Sequence, residues 1–236
     1  MVSFQIEGKQ IDVMRGEGSS LPLICLNTFA GDGQKIYEET KRMGCPEYHL
    51  AAVSSLQWDC DMVPWDAPPL SGQASPCVGG ADAYLKLLTE EILPQTEKIL
   101  NDAPSWRGIA GYSLGGLFAV YSLFRTGRFS RAASMSGSFW FPDIKEYIFS
   151  HPFKRVPDCL YFSLGRKEAK TRNPRLKTVQ ENTEEIAAFC RNLGIETEFR
   201  MQPGNHFVQA VERTAAGLKW MLEWKRRDFL SEPGMK

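Results

Sequence analysis

One stretch constrains this chain more than any other: Trp106-Arg107-Gly108-Ile109-Ala110-Gly111-Tyr112-Ser113-Leu114-Gly115-Gly116-Leu117. A short apolar run enters Gly111-Tyr112-Ser113-Leu114-Gly115, a G-x-S-x-G pattern, and a helical run leaves it. In a nucleophile elbow a serine sits on a sharp strand-to-helix turn, and the flanking glycines are needed because side chains there would clash. The serine oxygen then stands above the sheet, and the first N–H groups of the new helix point at the same place. The flanks fit. Leu114, Leu117, Phe118 and Tyr121 recur at helical spacing, and Gly127 follows as the closing residue. Val120, Leu123 and Phe124 make this helix apolar on most sides, which predicts that it is buried. The competing reading is a glycine-serine turn with no chemistry, so the rest of the chain must decide.

Elsewhere strands and helices alternate. Phe4–Glu7 and Gln10–Met14 flank Gly8-Lys9 as an opening hairpin. Leu21–Leu26 is a continuous apolar run, the mark of a strand buried on both faces, and Asn27–Gly33 leads from it into a helix ending at Met43. Tyr48–Val53, Arg131–Met135, Cys159–Leu164 and Glu196–Gln202 read as further strands. A long helix begins at Ala81, with Pro94 kinking or interrupting it. Others cover Asp143–Ser150, Leu176–Leu193 and the segment from Val208 onward. This alternation predicts the α/β class, with a mostly parallel central sheet and helices on both faces. With no internal repeat and no Gly/Ser linker, residues 1–236 read as one α/β domain.

Composition removes several functions. The 28 basic and 28 acidic residues cancel and are scattered, so neither a nucleic-acid stripe nor a polybasic membrane patch is expected. No apolar run approaches the roughly 18 residues that a membrane helix needs. The first residues lack the charged and apolar regions of a signal peptide, and the six cysteines form no C-x-x-C pair. A reduced, cytoplasmic protein without metal or organic cofactor is the expectation.

A serine hydroxyl needs a neighbouring base, and the base needs an orienting group. The chain has three histidines. His49 precedes the core of its strand, on the wrong side of the sheet, and His151 follows a helix. His206 lies just past a strand, where functional residues of parallel sheets collect. The acid should come from the end of a strand between Ser113 and His206. Glu168 is the first carboxylate after Cys159–Leu164, and a Ser–His dyad is the alternative. For the oxyanion, the expected donors are the N–H of Leu114 and one from the loop after Leu26. Phe29 is the choice there, with Thr28 and Ala30 as neighbours. The 54–80 segment is too long to be idle in a compact domain. Trp58 and Trp65 in it either wall a binding cleft or pin the loop. Tyr112, beside the nucleophile, and Trp140, in the loop after Met135, are further candidate substrate contacts.

The residues Gly111-Tyr112-Ser113-Leu114-Gly115-Gly116, Pro64-Trp65, Gly79-Gly80-Ala81-Asp82-Ala83-Tyr84-Leu85, Ser163-Leu164-Gly165, Glu168 to Pro174 and Gly204-Asn205-His206 resemble one family over nearly the whole chain. It is the "putative esterase" branch of the α/β-hydrolases, which includes siderophore trilactone esterases, S-formylglutathione hydrolases, feruloyl esterases and mycolyltransferases. The resemblance implies Ser113 as nucleophile, His206 as base and an acid near Glu168. It also implies a small-molecule ester substrate, as in a small esterase of the siderophore-esterase-like group. Acyl transfer from the same site, or a binding protein on a hydrolase scaffold, are the alternatives.

Overall fold

The computed structural model describes residues 1–70 and 76–225. Strands and helices follow in the order β1 (Val2–Ile6), β2 (Lys9–Met14), β3 (Leu23–Asn27), α1 (Gly33–Arg42), β4 (His49–Ser54), α2 (Trp58–Asp61), α3 (Ala81–Leu87) and α4 (Leu93–Leu100). The second half adds β5 (Arg107–Tyr112), α5 (Leu114–Arg125), β6 (Arg131–Met135), α6 (Ile144–Ser150), β7 (Cys159–Gly165), α7 (Pro174–Lys177), α8 (Val179–Asn192), β8 (Glu196–Gln202) and α9 (Ala210–Glu223).

The strands form one eight-stranded sheet in the order β1-β2-β4-β3-β5-β6-β7-β8. From β4 to β8 every pair is parallel, and β1 and β2 are antiparallel. The expected hairpin is present but turns one residue earlier, at Glu7-Gly8 instead of Gly8-Lys9: both have positive φ, 46° and 76°, as a two-residue turn matching the strand twist requires, and Lys9 pairs with Ile6.

Burial on both faces explains the unbroken apolar strands. In β3, Leu23 and Cys25 pack into one core, and Ile24 and Leu26 into the other. The helix α5 lies in the first core with Leu117, Phe118 and Leu123, while α9 joins the second through Leu218, Met221 and Leu222. That α5 is apolar nearly all round follows from this sandwiching.

Three local expectations are corrected. The helix α5 stops at Arg125 because Thr126 turns extended, so Gly127 does not cap it. Between α3 and α4 the chain widens into one π turn, Leu88–Ile92. Pro94 lacks an N–H and crowds the carbonyl four residues back, and the wider turn absorbs this while the chain stays helical. The helix expected over Leu176–Leu193 divides into α7 and α8. Of the segment 54–80, residues 71–75 lie outside the described residues; the remainder holds α2 and a bridge between Ala67 and Cys77.

The chain leaves β3 for β4 on one side and returns to β5 on the other. The loops after β3 and β5 therefore part at the carboxyl end of the sheet, and such a reversal of strand order opens a crevice.

Candidate active site

The turn between β5 and α5 holds Ser113 at φ 58°, ψ −123°, a region that non-glycine residues rarely occupy. Its neighbours explain how the turn survives. A Cβ on Gly111 would overlap the backbone of Gly115, and one on Gly116 would come 2.7 Å from Ser134 Oγ. The N–H of Ser113 donates to Met135 O at 3.0 Å, fixing the elbow to β6. Gly111→Ala is therefore expected to destabilise the fold by about 2 kcal/mol or more, because the overlap is with backbone and cannot be rotated away. Urea unfolding monitored by circular dichroism measures it.

Ser113 Oγ lies 3.0 Å from His206 Nε2, and His206 Nδ1 lies 2.8 Å from Glu168 Oε2. The three come from separate loops, after β5, β7 and β8, which the parallel sheet brings to one edge. His49 sits at the start of β4, where Nδ1 accepts from Gly16 N, and His151 stacks on Tyr147.

Glu168 is held more firmly than the sequence suggests. Its side chain is 4 % exposed. Oε1 accepts from the N–H of Gly165 at 2.6 Å, from Ser136 Oγ at 2.7 Å and from Arg213 Nη1 at 3.2 Å. Burial alone would raise this carboxyl. The hydrogen bond and charge of His206, with the Ser136 and Gly165 donors, outweigh it and hold the carboxyl below its ordinary value. A depressed carboxyl stabilises the fold above its unfolded-state value, and that stability disappears as pH falls through the folded value. Glu168→Gln is therefore expected to flatten the fall in melting temperature between pH 7 and pH 3, as calorimetry across that range would read.

Arg213, Ser136 and the hydroxyl of Tyr112 were not reachable from the sequence. The guanidinium of Arg213 is 1 % exposed. Besides Glu168 it donates to Tyr112 Oη at 3.2 Å and to the carbonyl of Pro203, in the loop carrying His206. Tyr112 Oη in turn donates to the carbonyl of His206 at 2.7 Å. One buried cation on α9 thus connects the acid, the elbow and the backbone of the histidine. An arginine inside the pattern of a surface helix carries no signal of this role. Ser138 is a further unpredicted neighbour, with its hydroxyl 3.3 Å from Ser113 Oγ.

Above these groups opens a cavity of about 460 Å³, lined by Ser113, Leu114, Tyr112, Phe29, Trp58, Trp140 and His206 among others. The first intrahelical bonds of α5 are made by the N–H groups of Gly116 and Leu117, to Ser113 O, so the Leu114 amide precedes them. Thr28 cannot serve as the loop donor, because its N–H bonds Val53 O at 2.9 Å; Phe29 and Ala30 follow it. The tryptophans separate. Trp58 lies edge-on to Phe29 at 5.4 Å and, like Trp140, lines the cavity. Trp65 is not among the lining residues: it packs on Tyr121, Phe141 and Tyr147, and its Nε1–H donates to Pro142 O at 3.1 Å. Among the described residues no cluster of His, Cys, Asp or Glu could hold a metal ion, and no helix is long and apolar enough to cross a membrane.

Comparison with known proteins gives the family. A family model described as "Putative esterase" matches residues 60–213. The chain is 26 % identical over 152 residues to the uncharacterized protein YbbA of Bacillus subtilis, covering 63 % of this chain and 61 % of that protein. It is 30 % identical over 129 residues to the iron(III) enterobactin esterase of Dickeya dadantii, covering 48 % of this chain and 26 % of that protein. The matches thus span less than two thirds of these relatives' own lengths. The siderophore hydrolase EstB of Aspergillus nidulans superposes with a TM-score of 0.73 at 19 % identity, over 94 % of this chain and 95 % of the other, a likeness of fold. The model match over most of the chain, carried on a sheet of α/β-hydrolase order, places the protein in the putative-esterase branch of the α/β-hydrolases.

Proposed function

We propose that this protein is a serine carboxylic-ester hydrolase that works through an acyl-enzyme, with residues 1–236 acting as one domain. Ser113 Oγ attacks the ester carbonyl while His206 Nε2 takes its proton. Glu168 accepts from Nδ1–H, which fixes the tautomer and stabilises the imidazolium. The amides of Leu114 and Phe29 hold the oxyanion. His206 then gives the proton to the leaving alcohol. A water, deprotonated by His206, attacks the acyl-enzyme, and the acid leaves with Ser113 restored. Tyr112, Trp58 and Trp140 contact the substrate. Esterase family membership supports a small-molecule ester substrate, and likeness to proteins named as siderophore hydrolases favours that group. All six cysteines are free, which supports a reducing, cytoplasmic setting.

The observation that carries the reading is the continuous contact from Ser113 Oγ through both nitrogens of His206 to Glu168, at 3.0 and 2.8 Å, on a serine held in a strained elbow. A fluorophosphonate probe followed by peptide mapping tests it. Stoichiometric labelling of Ser113, with loss of 4-nitrophenyl butyrate turnover, is the expected result. A folded protein that neither labels nor turns over would overturn it.

A further inference from the structure

Among the described residues, the acidic and basic side chains that line the cavity above Ser113, apart from His206, are two carboxylates. Its lining is mostly apolar, and its charged members are Asp32 and Asp59; among the described residues no lysine or arginine lines it. Residues 71–75, outside the described set, are Ser-Gly-Gln-Ala-Ser and carry no charge. Arg175 stands beside Trp140, with its guanidinium 5.4 Å from the ring and Nη1 donating to the carbonyls of Pro68 and Pro69, and it is not a lining residue.

The two acids lie on opposite sides. Asp32 precedes α1, whose Ile36 belongs to the core shared with α9. Asp59 is in α2 beside Trp58, which packs on the other core. Asp32 makes no side-chain hydrogen bond to α1, and among the described residues neither carboxylate is ion-paired. Both carboxylates belong to the lining; on the Asp59 side the charge of Arg175 opposes that of Asp59 at the Cys77 thiol, so the negative side of the cleft is that of Asp32. A low-dielectric cleft lined by a single sign of charge focuses that field on whatever enters it.

We propose that the site disfavours esters that carry a carboxylate in either the acyl or the alcohol part. This rests on Ser113 as the reacting residue. A carboxylate on the substrate is repelled by the nearer aspartate and loses hydration against Trp58 and Trp140. Two like charges about 8 Å apart at an effective dielectric of about 40 weaken binding about sixfold. A cation on the substrate meets attraction instead.

The test compares near-isosteric esters. 4-Nitrophenyl butyrate is expected to exceed 4-nitrophenyl hemisuccinate in kcat/KM by about sixfold, carried by KM. Phenyl butyrate should likewise exceed its 3-carboxyphenyl counterpart, and 4-nitrophenyl 4-(trimethylammonio)butyrate should at least match butyrate. Asp32→Asn with Asp59→Asn should shrink the penalty on the anionic esters, as should 1 M NaCl. Equal turnover of butyrate and hemisuccinate, or an unchanged ratio in the double variant, would overturn the proposal. Calorimetric binding of phenyl butyrate and phenyl hemisuccinate to the Ser113→Ala protein reads the same preference without chemistry. If the wild type hydrolyses nothing, the serine-hydrolase reading fails, and this binding ratio alone still decides the charge selection.

Discussion

Ser113→Ala is expected to lower kcat/KM for 4-nitrophenyl butyrate by about 10⁵-fold while the protein stays folded. Groups that act as a unit lose nearly everything when one is removed, and the residual rate comes from oxyanion donors and binding. His206→Ala should lose about as much, because an unassisted serine hydroxyl stays protonated at neutral pH. The double variant should be hardly worse than either single one. Kinetics of the three variants, with matched circular dichroism spectra, give the result. Additive losses, each near tenfold, would mean that the two residues do not cooperate and that the contact at 3.0 Å is only structural.

Arg213→Met is expected to cost about 10²–10³-fold in kcat although Arg213 does not line the cavity. The arginine bonds Glu168, Tyr112 and Pro203, so its loss loosens Glu168 and the loop that carries His206 together. It also leaves Glu168 buried without its cation, which should destabilise the fold by about 3 kcal/mol. The pH profile separates positioning from simple destabilisation. The groups facing the Glu168–His206 pair are Arg213 from α9 and the phenol of Tyr112, which burial raises and so keeps neutral. Removing a buried positive charge strengthens proton binding by the pair, wherever the proton resides. The acid limb of kcat/KM therefore moves to higher pH in Arg213→Met and stays near its original position in Arg213→Lys. An unmoved limb in a folded Met variant would reduce Arg213 to a packing residue.

Much of the architecture was legible because its determinants are local. Unbroken apolar runs such as Leu23–Leu26 can be satisfied only by burial on both faces, and their alternation with helical periods leaves few topologies. The elbow was legible because only glycine tolerates the closeness of Gly111 to Gly115. The choice of His206 followed from its place after a strand.

What surrounds those residues depends on distance in space. Trp58 and Trp65 are equivalent in the sequence, yet one lines the cavity and the other packs beneath Tyr147, because the path of the 54–80 segment depends on which side of the sheet each turn meets. Arg213 lies 45 positions from Glu168 along the chain, and only the packing of α9 against the sheet places it at the carboxylate. The sequence by itself determined the fold class, the glycine-flanked turn at Ser113 and the chain order Ser113, Glu168, His206. The tertiary structure alone decided how the Glu168 carboxyl is held below its ordinary value and which side chains line the cleft, since both follow from groups that meet only when separate loops converge at one edge of the sheet.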